Sequence, residues 1–169
     1  MAIHHVAYAT QDVEATVHFY EDLFGFPLVH SEVERHESEA GVHLMTHLFF
    51  DCGDGESIAF FTLDNVGERD DWSTDLSESV GVPVWVNHCA FRATEAKQAE
   101  VKERMTGEGI EPLMEIDHGW CQSLYYQDPN GIMVELCRDT PGFTRDGPAA
   151  RAALAMAHGT ADAAAGGDR

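Results

Sequence analysis

Basic residues are scarce in this 169-residue chain. Lys and Arg number 10 against 30 Asp and Glu, a formal charge of −20. Such a surface repels phosphate backbones and anionic lipid, which makes nucleic acid and membranes poor partners. Long apolar runs are missing too. No stretch of about 18 apolar residues occurs, so no membrane-spanning helix is expected. The N-terminus, MAIHHVAYATQDVEA, has no basic region followed by an apolar one and does not read as a secretory signal. Cysteine is sparse: Cys52, Cys89, Cys121 and Cys137 include no CxxC pair. Their spacing is unlike that of structural zinc sites, and without a secretion signal reduced thiols in a cytoplasmic protein are expected. What remains, 44% apolar residues over this length, suffices for one domain with a real core and is short for two.

The chain repeats itself. Ile3-His4-His5-Val6-Ala7-Tyr8 matches Val86-Asn87-His88-Cys89-Ala90-Phe91, and each run precedes a helical pattern. The first helix is expected over Asp12 to Leu23, with Val13, Val17, Tyr20 and Phe24 at helical spacing and Gly25 as its stop; the second spans about Glu95 to Met105. The far ends match as well, with Gly55 laid on Gly131 and a strand after each. Further strand-like runs cover Pro27–Val33 and Val42–Cys52 in the first copy, and Glu111–Ile116 and Ser123–Gln127 in the second. Each copy therefore reads as strand, helix, then three strands. The expected organisation is one domain over 1–143, with module 1 at about 1–64, an exposed linker at 65–82 and module 2 at about 83–140. In the tail, 144–169, Pro148–His158 could form a helix ahead of a frayed end.

Equivalent positions single out a constellation. His5 and His88 occupy the same place in the two copies, whereas Glu135 falls on Ala59. A carboxylate between Val134 and Leu136 is costly to bury unless something positive meets it. If the copies are related by a pseudo-two-fold axis, His5, His88 and Glu135 converge in one cleft with Ala59 as an empty place. Two imidazoles and one carboxylate, with open positions beside them, suit non-haem Fe(II), with Mn(II) or Co(II) as substitutes. The bland alternative is a pair of hydrogen-bonded strand histidines. His4 competes with His5, but on a strand its side chain points to the other face.

This pattern resembles the vicinal oxygen chelate superfamily, which comprises glyoxalases, bleomycin-resistance proteins and extradiol dioxygenases. The resemblance covers about residues 1–140. It implies an α+β fold of two βαβββ modules pairing into an open, cleft-forming mixed β-sheet. The stretch from His118 through Tyr125 and Asp128-Pro129-Asn130-Gly131 to Glu135 is similar to the signature of type I extradiol ring-cleavage dioxygenases. The resemblance implies metal ligands at His5, His88 and Glu135 and catalytic roles for His118 and Tyr125. It also implies Fe(II), with Mn(II), Co(II), Ni(II) and Zn(II) as alternatives, acting on a catecholic or similar diol with O2. Phe49, Phe60, Trp120 and Tyr126 are candidates for an apolar pocket.

The chain departs from that pattern in having one pair of modules. It also carries Glu56 where the better-known extradiol enzymes place an acid/base His; Glu56, His43 and His47 are the candidates to replace it. The competing readings are a glyoxalase-like lyase or isomerase, disfavoured by Ala59, and a non-catalytic antibiotic-binding protein, disfavoured by the retained triad. Modules of this family assemble within or between chains, and a homodimer is expected.

Overall fold

The computed structural model describes residues 2–38, 41–63 and 71–165. Module 1 consists of β1 (His5–Ala9), α1 (Val13–Val17), β2 (Leu28–Ser38), β3 (Gly41–Gly53) and β4 (Glu56–Leu63). After α2 (Leu76–Val80), module 2 repeats the pattern with β5 (His88–Arg92), α3 (Glu95–Gly107), β6 (Met114–Asp117), β7 (Cys121–Gln127) and β8 (Met133–Asp139). The two four-stranded mixed sheets run β1-β4-β3-β2 and β5-β8-β7-β6. The first and last strands of each module lie parallel, and the register preserves the sequence equivalence: Ala7 pairs with Ala59, and Ala90 with Glu135.

The first helix departs from the expected single α-helix. Asp12 caps it, accepting from Ala15 N–H at 2.9 Å. From His18 to Leu23 the chain widens into a π-helical turn, with Phe24 N–H bonded to Phe19 C=O at 3.0 Å. That i→i+5 spacing brings Phe19 and Phe24 into a stack with ring centroids 5.0 Å apart. Tyr20 packs on Phe50 and Phe60 from the same turn. Burying each such ring contributes roughly 2–3 kcal/mol.

Strand alternation sorts the side chains. Ile58 and Phe60 of β4, Leu124 and Tyr126 of β7, and Val134 and Leu136 of β8 enter one core shared by both modules. The alternate residues, Ser57, Ala59 and Phe61 on β4, Cys121, Ser123 and Tyr125 on β7, and Glu135 on β8, therefore stand on the opposite faces. Phe60 and Tyr126 are fully buried core residues, so the expectation that they wall a pocket is corrected.

The modules are joined by polar groups as well as rings. Tyr20 O–H donates to Asp128 Oδ2 at 2.9 Å, and Asn130 Nδ2 donates to Thr16 Oγ1 at 3.2 Å. Asp128 Oδ1 also accepts from the N–H groups of Asn130 and Ile132, at 2.9 and 2.8 Å, which shapes the Asp-Pro-Asn-Gly turn. Gly131 sits at φ +82, and a Cβ there would stand 2.6 Å from the Cβ of Asp75. Only glycine tolerates both the backbone and the approach.

Part of the expected linker is therefore anchored. Asp75 caps α2, accepting from Glu78 N–H at 2.8 Å, and Ser77 is buried. Residues 64–70 lie outside the described residues. Residues 139–169 form a unit of their own, in which α4 (Gly147–Ala165) extends beyond the Pro148–His158 stretch expected to be helical. The last four residues of the tail lie outside the described residues. No described helix is long and apolar enough to cross a membrane.

Candidate metal centre

β5 starts at His88, whose ring Nδ1 lies 2.9 Å from the carbonyl oxygen of Trp85. A carbonyl only accepts, so Nδ1 carries the hydrogen. In the neutral ring, Nε2 then presents a lone pair, and it lies 3.2 Å from Glu135 Oε2. Two acceptors facing each other repel unless a proton or a cation sits between them. Two donors at about 2.0–2.1 Å from a shared ion stand roughly 3 Å apart, so the spacing fits a common metal. A histidine that donates its second ring N–H to a backbone carbonyl is also the usual arrangement of a metal ligand.

Glu135 is 5% exposed. Its other oxygen, Oε1, accepts the hydroxyl of Ser123. The hydroxyls of Ser123 and Tyr125 and one imidazole meet this buried carboxylate without neutralising its charge, which a divalent ion would do. The strand position that looks anomalous in the sequence thus points away from the core, onto a polar face.

His118 and Tyr125 meet on that face, with His118 Nε2 3.0 Å from the Tyr125 hydroxyl. The rings of Tyr125 and His88 are 6.3 Å apart. Burial, followed by the charge of Glu135, pushes the Tyr125 phenol above its ordinary value, against an opposing pull from Ser123. The phenol therefore stays protonated at neutral pH and can donate a hydrogen bond. Trp120 lies beside His118, ring to ring at 6.3 Å, and is half exposed.

Sequence reasoning misses Cys121 and Ser123. Among the described residues, one group of three or more His, Cys, Asp and Glu brings its donor atoms within 4.8 Å of one another: His118, Cys121 and Glu135. The signal lies in the alternation of Cys121, Ser123 and Tyr125 along β7, which places all three on one face.

His5 stands apart from this group. It lies on the first sheet, its ring 5.3 Å from Phe49 and 6.0 Å from His47, with Nδ1 2.8 Å from that of His4. His47 is buried between Phe61, at 3.7 Å, and Phe49, at 4.0 Å, and its Nε2 has no hydrogen-bond partner. Burial, and next the neighbouring His5, lower its basicity. His43 pairs with His36 further along the β2–β3 hairpin. Glu56 lines a cavity of about 310 Å³ together with Ile3, Val6, Tyr8 and His88.

The sequence profile of the Glyoxalase/Bleomycin resistance protein/Dioxygenase superfamily matches residues 2–136. The chain belongs to this superfamily. Within it, the chain is similar to "Putative ring-cleaving dioxygenase MhqA" of Bacillus subtilis (strain 168), 27% identical over 134 residues, which is 79% of this chain and 38% of that protein. A 34-residue stretch is 56% identical to biphenyl-2,3-diol 1,2-dioxygenase 2 of Rhodococcus globerulus, covering 20% of this chain and 18% of that one. The superfamily member described here thus matches well under half the length of either relative. Among solved structures, a mutant of the fosfomycin resistance protein FosX from Listeria monocytogenes, complexed with Mn(II) and a dihydroxypropylphosphonic acid, shares the fold with a TM-score of 0.53 and 19% identity. That match covers 83% of this chain and 94% of the other.

Proposed function

We propose that this chain is a non-haem iron dioxygenase of the extradiol type, with Fe(II) held by His5, His88 and Glu135 and an aromatic vicinal diol as substrate. The observation that carries the reading is the His88–Glu135 pair. The tautomer of His88 is fixed by Trp85, and its free lone pair faces a buried carboxylate at 3.2 Å. The dioxygenase names of the two relatives and the Mn(II) of FosX support a divalent centre of this kind. Mn(II), Co(II), Ni(II) and Zn(II) suit the same donors less selectively.

His5 belongs to module 1, and its ring neighbours do too. A homodimer in which the polar face of one chain's module 1 opposes that of its neighbour's module 2 brings His5 to the centre. Ile3 and Val86, beside the two ligand strands and both exposed, supply apolar surface for such an interface.

Iron held by these residues would supply Lewis acidity toward the diol and redox chemistry toward O2. The chain's own residues do the rest. Tyr125, kept protonated, donates a hydrogen bond to oxyanion character on the substrate. His118 donates from Nε2 to the oxygen of that phenol, whose one hydrogen goes to the substrate, and it resupplies that proton when the phenol gives it up. Trp120 offers a face for an aromatic ring. Tyr125→Phe should leave iron loading intact and lower kcat by roughly 100-fold, measured with enzyme of known iron content.

The reading as a whole is tested by anaerobic Fe(II) loading, then addition of catechols and O2 while the absorbance of a yellow ring-opened product is followed. Oxygen-dependent colour formation supports it. Full iron occupancy without turnover of any diol removes the dioxygenase assignment, and oxygen-independent turnover makes the chain a lyase or isomerase.

A further inference from the structure

Glu135 stands at the junction of two donor sets. On one side is His88, a nitrogen donor. On the other are His118 and Cys121, whose donor atoms lie with that of Glu135 inside 4.8 Å. Around a tetrahedral zinc ion, N, O and S donors stand about 3.3–3.8 Å apart, so closing this group needs side-chain shifts of about an ångström. The sulfur is suitably placed. Cys121 is 1% exposed and carries no disulfide, and its Sγ lies 3.6 Å from the Ser123 hydroxyl that also holds Glu135. His118, by contrast, is exposed, which leaves an open side for an ion to enter.

We propose that His118, Cys121 and Glu135 form a second, thiolate-containing metal site, selective for Zn2+ and similarly soft ions, that shares its carboxylate with the His88–Glu135 centre. The chemistry separates the two sets. An N,N,O set of imidazoles and carboxylate suits Fe(II), whereas replacing one imidazole by a thiolate favours zinc. Binding converts Cys121 from thiol to thiolate and releases one proton to solvent. Zinc draws on Glu135, which both sets share, and it also occupies the His118 imidazole. Zinc is thereby an inhibitor of iron-dependent turnover. This last consequence rests on the function proposed above; the site itself does not.

X-ray absorption at the zinc edge of the full chain loaded with one equivalent of Zn2+ tests the site. One sulfur at about 2.3 Å is expected in the wild type. Cys121→Ser should remove it and weaken zinc binding at least about tenfold, since even an outer-shell partner contributes that much. His88→Ala and Cys137→Ser should both retain the sulfur. A zinc shell without sulfur in the wild type, or a sulfur that persists in Cys121→Ser, overturns the proposal; the first of these needs no mutant to fold. In iron-loaded protein, Cys121→Ser should raise the zinc concentration for half-inhibition at least about tenfold. If no diol is turned over, the function fails, while the spectroscopic result still decides the site.

Discussion

Glu135→Gln is expected to lower divalent-metal affinity by more than about 100-fold, a larger effect than loss of an outer-shell partner. Turnover should fall by roughly 1000-fold or more, corresponding to about 4 kcal/mol of lost stabilisation. The metal-free protein should not suffer. A glutamine oxygen can still accept from Ser123, and its amide can donate to the His88 lone pair that the carboxylate leaves facing an acceptor. Isothermal titration with Fe(II) or Mn(II), beside a thermal melt of the apo-protein, separates these effects. A variant that binds metal as the wild type does would move the centre elsewhere.

The same substitution tests how His5 is supplied. If each centre takes His5 from one copy and Glu135 from the other, then mixing inactive His5→Ala with inactive Glu135→Gln gives some dimers with one intact centre. Equal mixing should restore about a quarter of wild-type activity, because half the dimers are mixed and each has one good centre of two. No recovery, with exchange of subunits verified, would place both ligands in one chain.

Asp128→Ala should be the most destabilising single change at the junction of the modules. Asp128 is 5% exposed and accepts from Tyr20 and from the backbone and side chain of Asn130 as well as Ile132 N–H. Removing it strands several buried donors on both modules, at about 3–5 kcal/mol. Asp128→Asn should cost less, about 1–3 kcal/mol: Oδ1 keeps its backbone donors and Tyr20 can turn its hydroxyl to accept, while the bond from Asn130 Nδ2 is lost. Chemical denaturation of both variants checks the order.

The pH dependence has a definite sign. Burial raises Asp128 above its ordinary value of 3.8, outweighing the hydrogen bonds that lower it. The folded chain then binds this proton more tightly than the unfolded one. Its contribution to stability is full below 3.8 and declines as pH climbs from there through the raised folded value. Asp128→Asn should flatten that segment of the stability curve.

The sequence discloses the repeat because the repeat preserves register: the offset that lays Gly55 on Gly131 is the one by which Ala59 and Glu135 face Ala7 and Ala90. Period-two alternation makes the outward face of Glu135 legible, and the short spacing from His118 to Tyr125 spans one tight turn between neighbouring strands. The π-helical turn stays hidden, since the apolar spacing of Val13, Val17, Tyr20 and Phe24 does not separate an i→i+5 turn from an ordinary α-helix. The Tyr20–Asp128 bond links residues 108 apart, which no local pattern reveals. Cys121 escapes a search for zinc-type spacing along the chain, because a strand face gathers its donors from adjacent strands. The ring neighbours of His5, Phe49 and His47, come from β3, which the short run around His5 does not disclose.

A chain built from module 2 twice would offer two imidazoles and two carboxylates to a shared ion, because its fourth strand would carry Glu where this chain has Ala59. Under the proposed ligand set, such a chain would hold its metal more tightly and leave fewer places for exogenous oxygen atoms, so the methyl group of Ala59 stands where grip would be exchanged for reactivity.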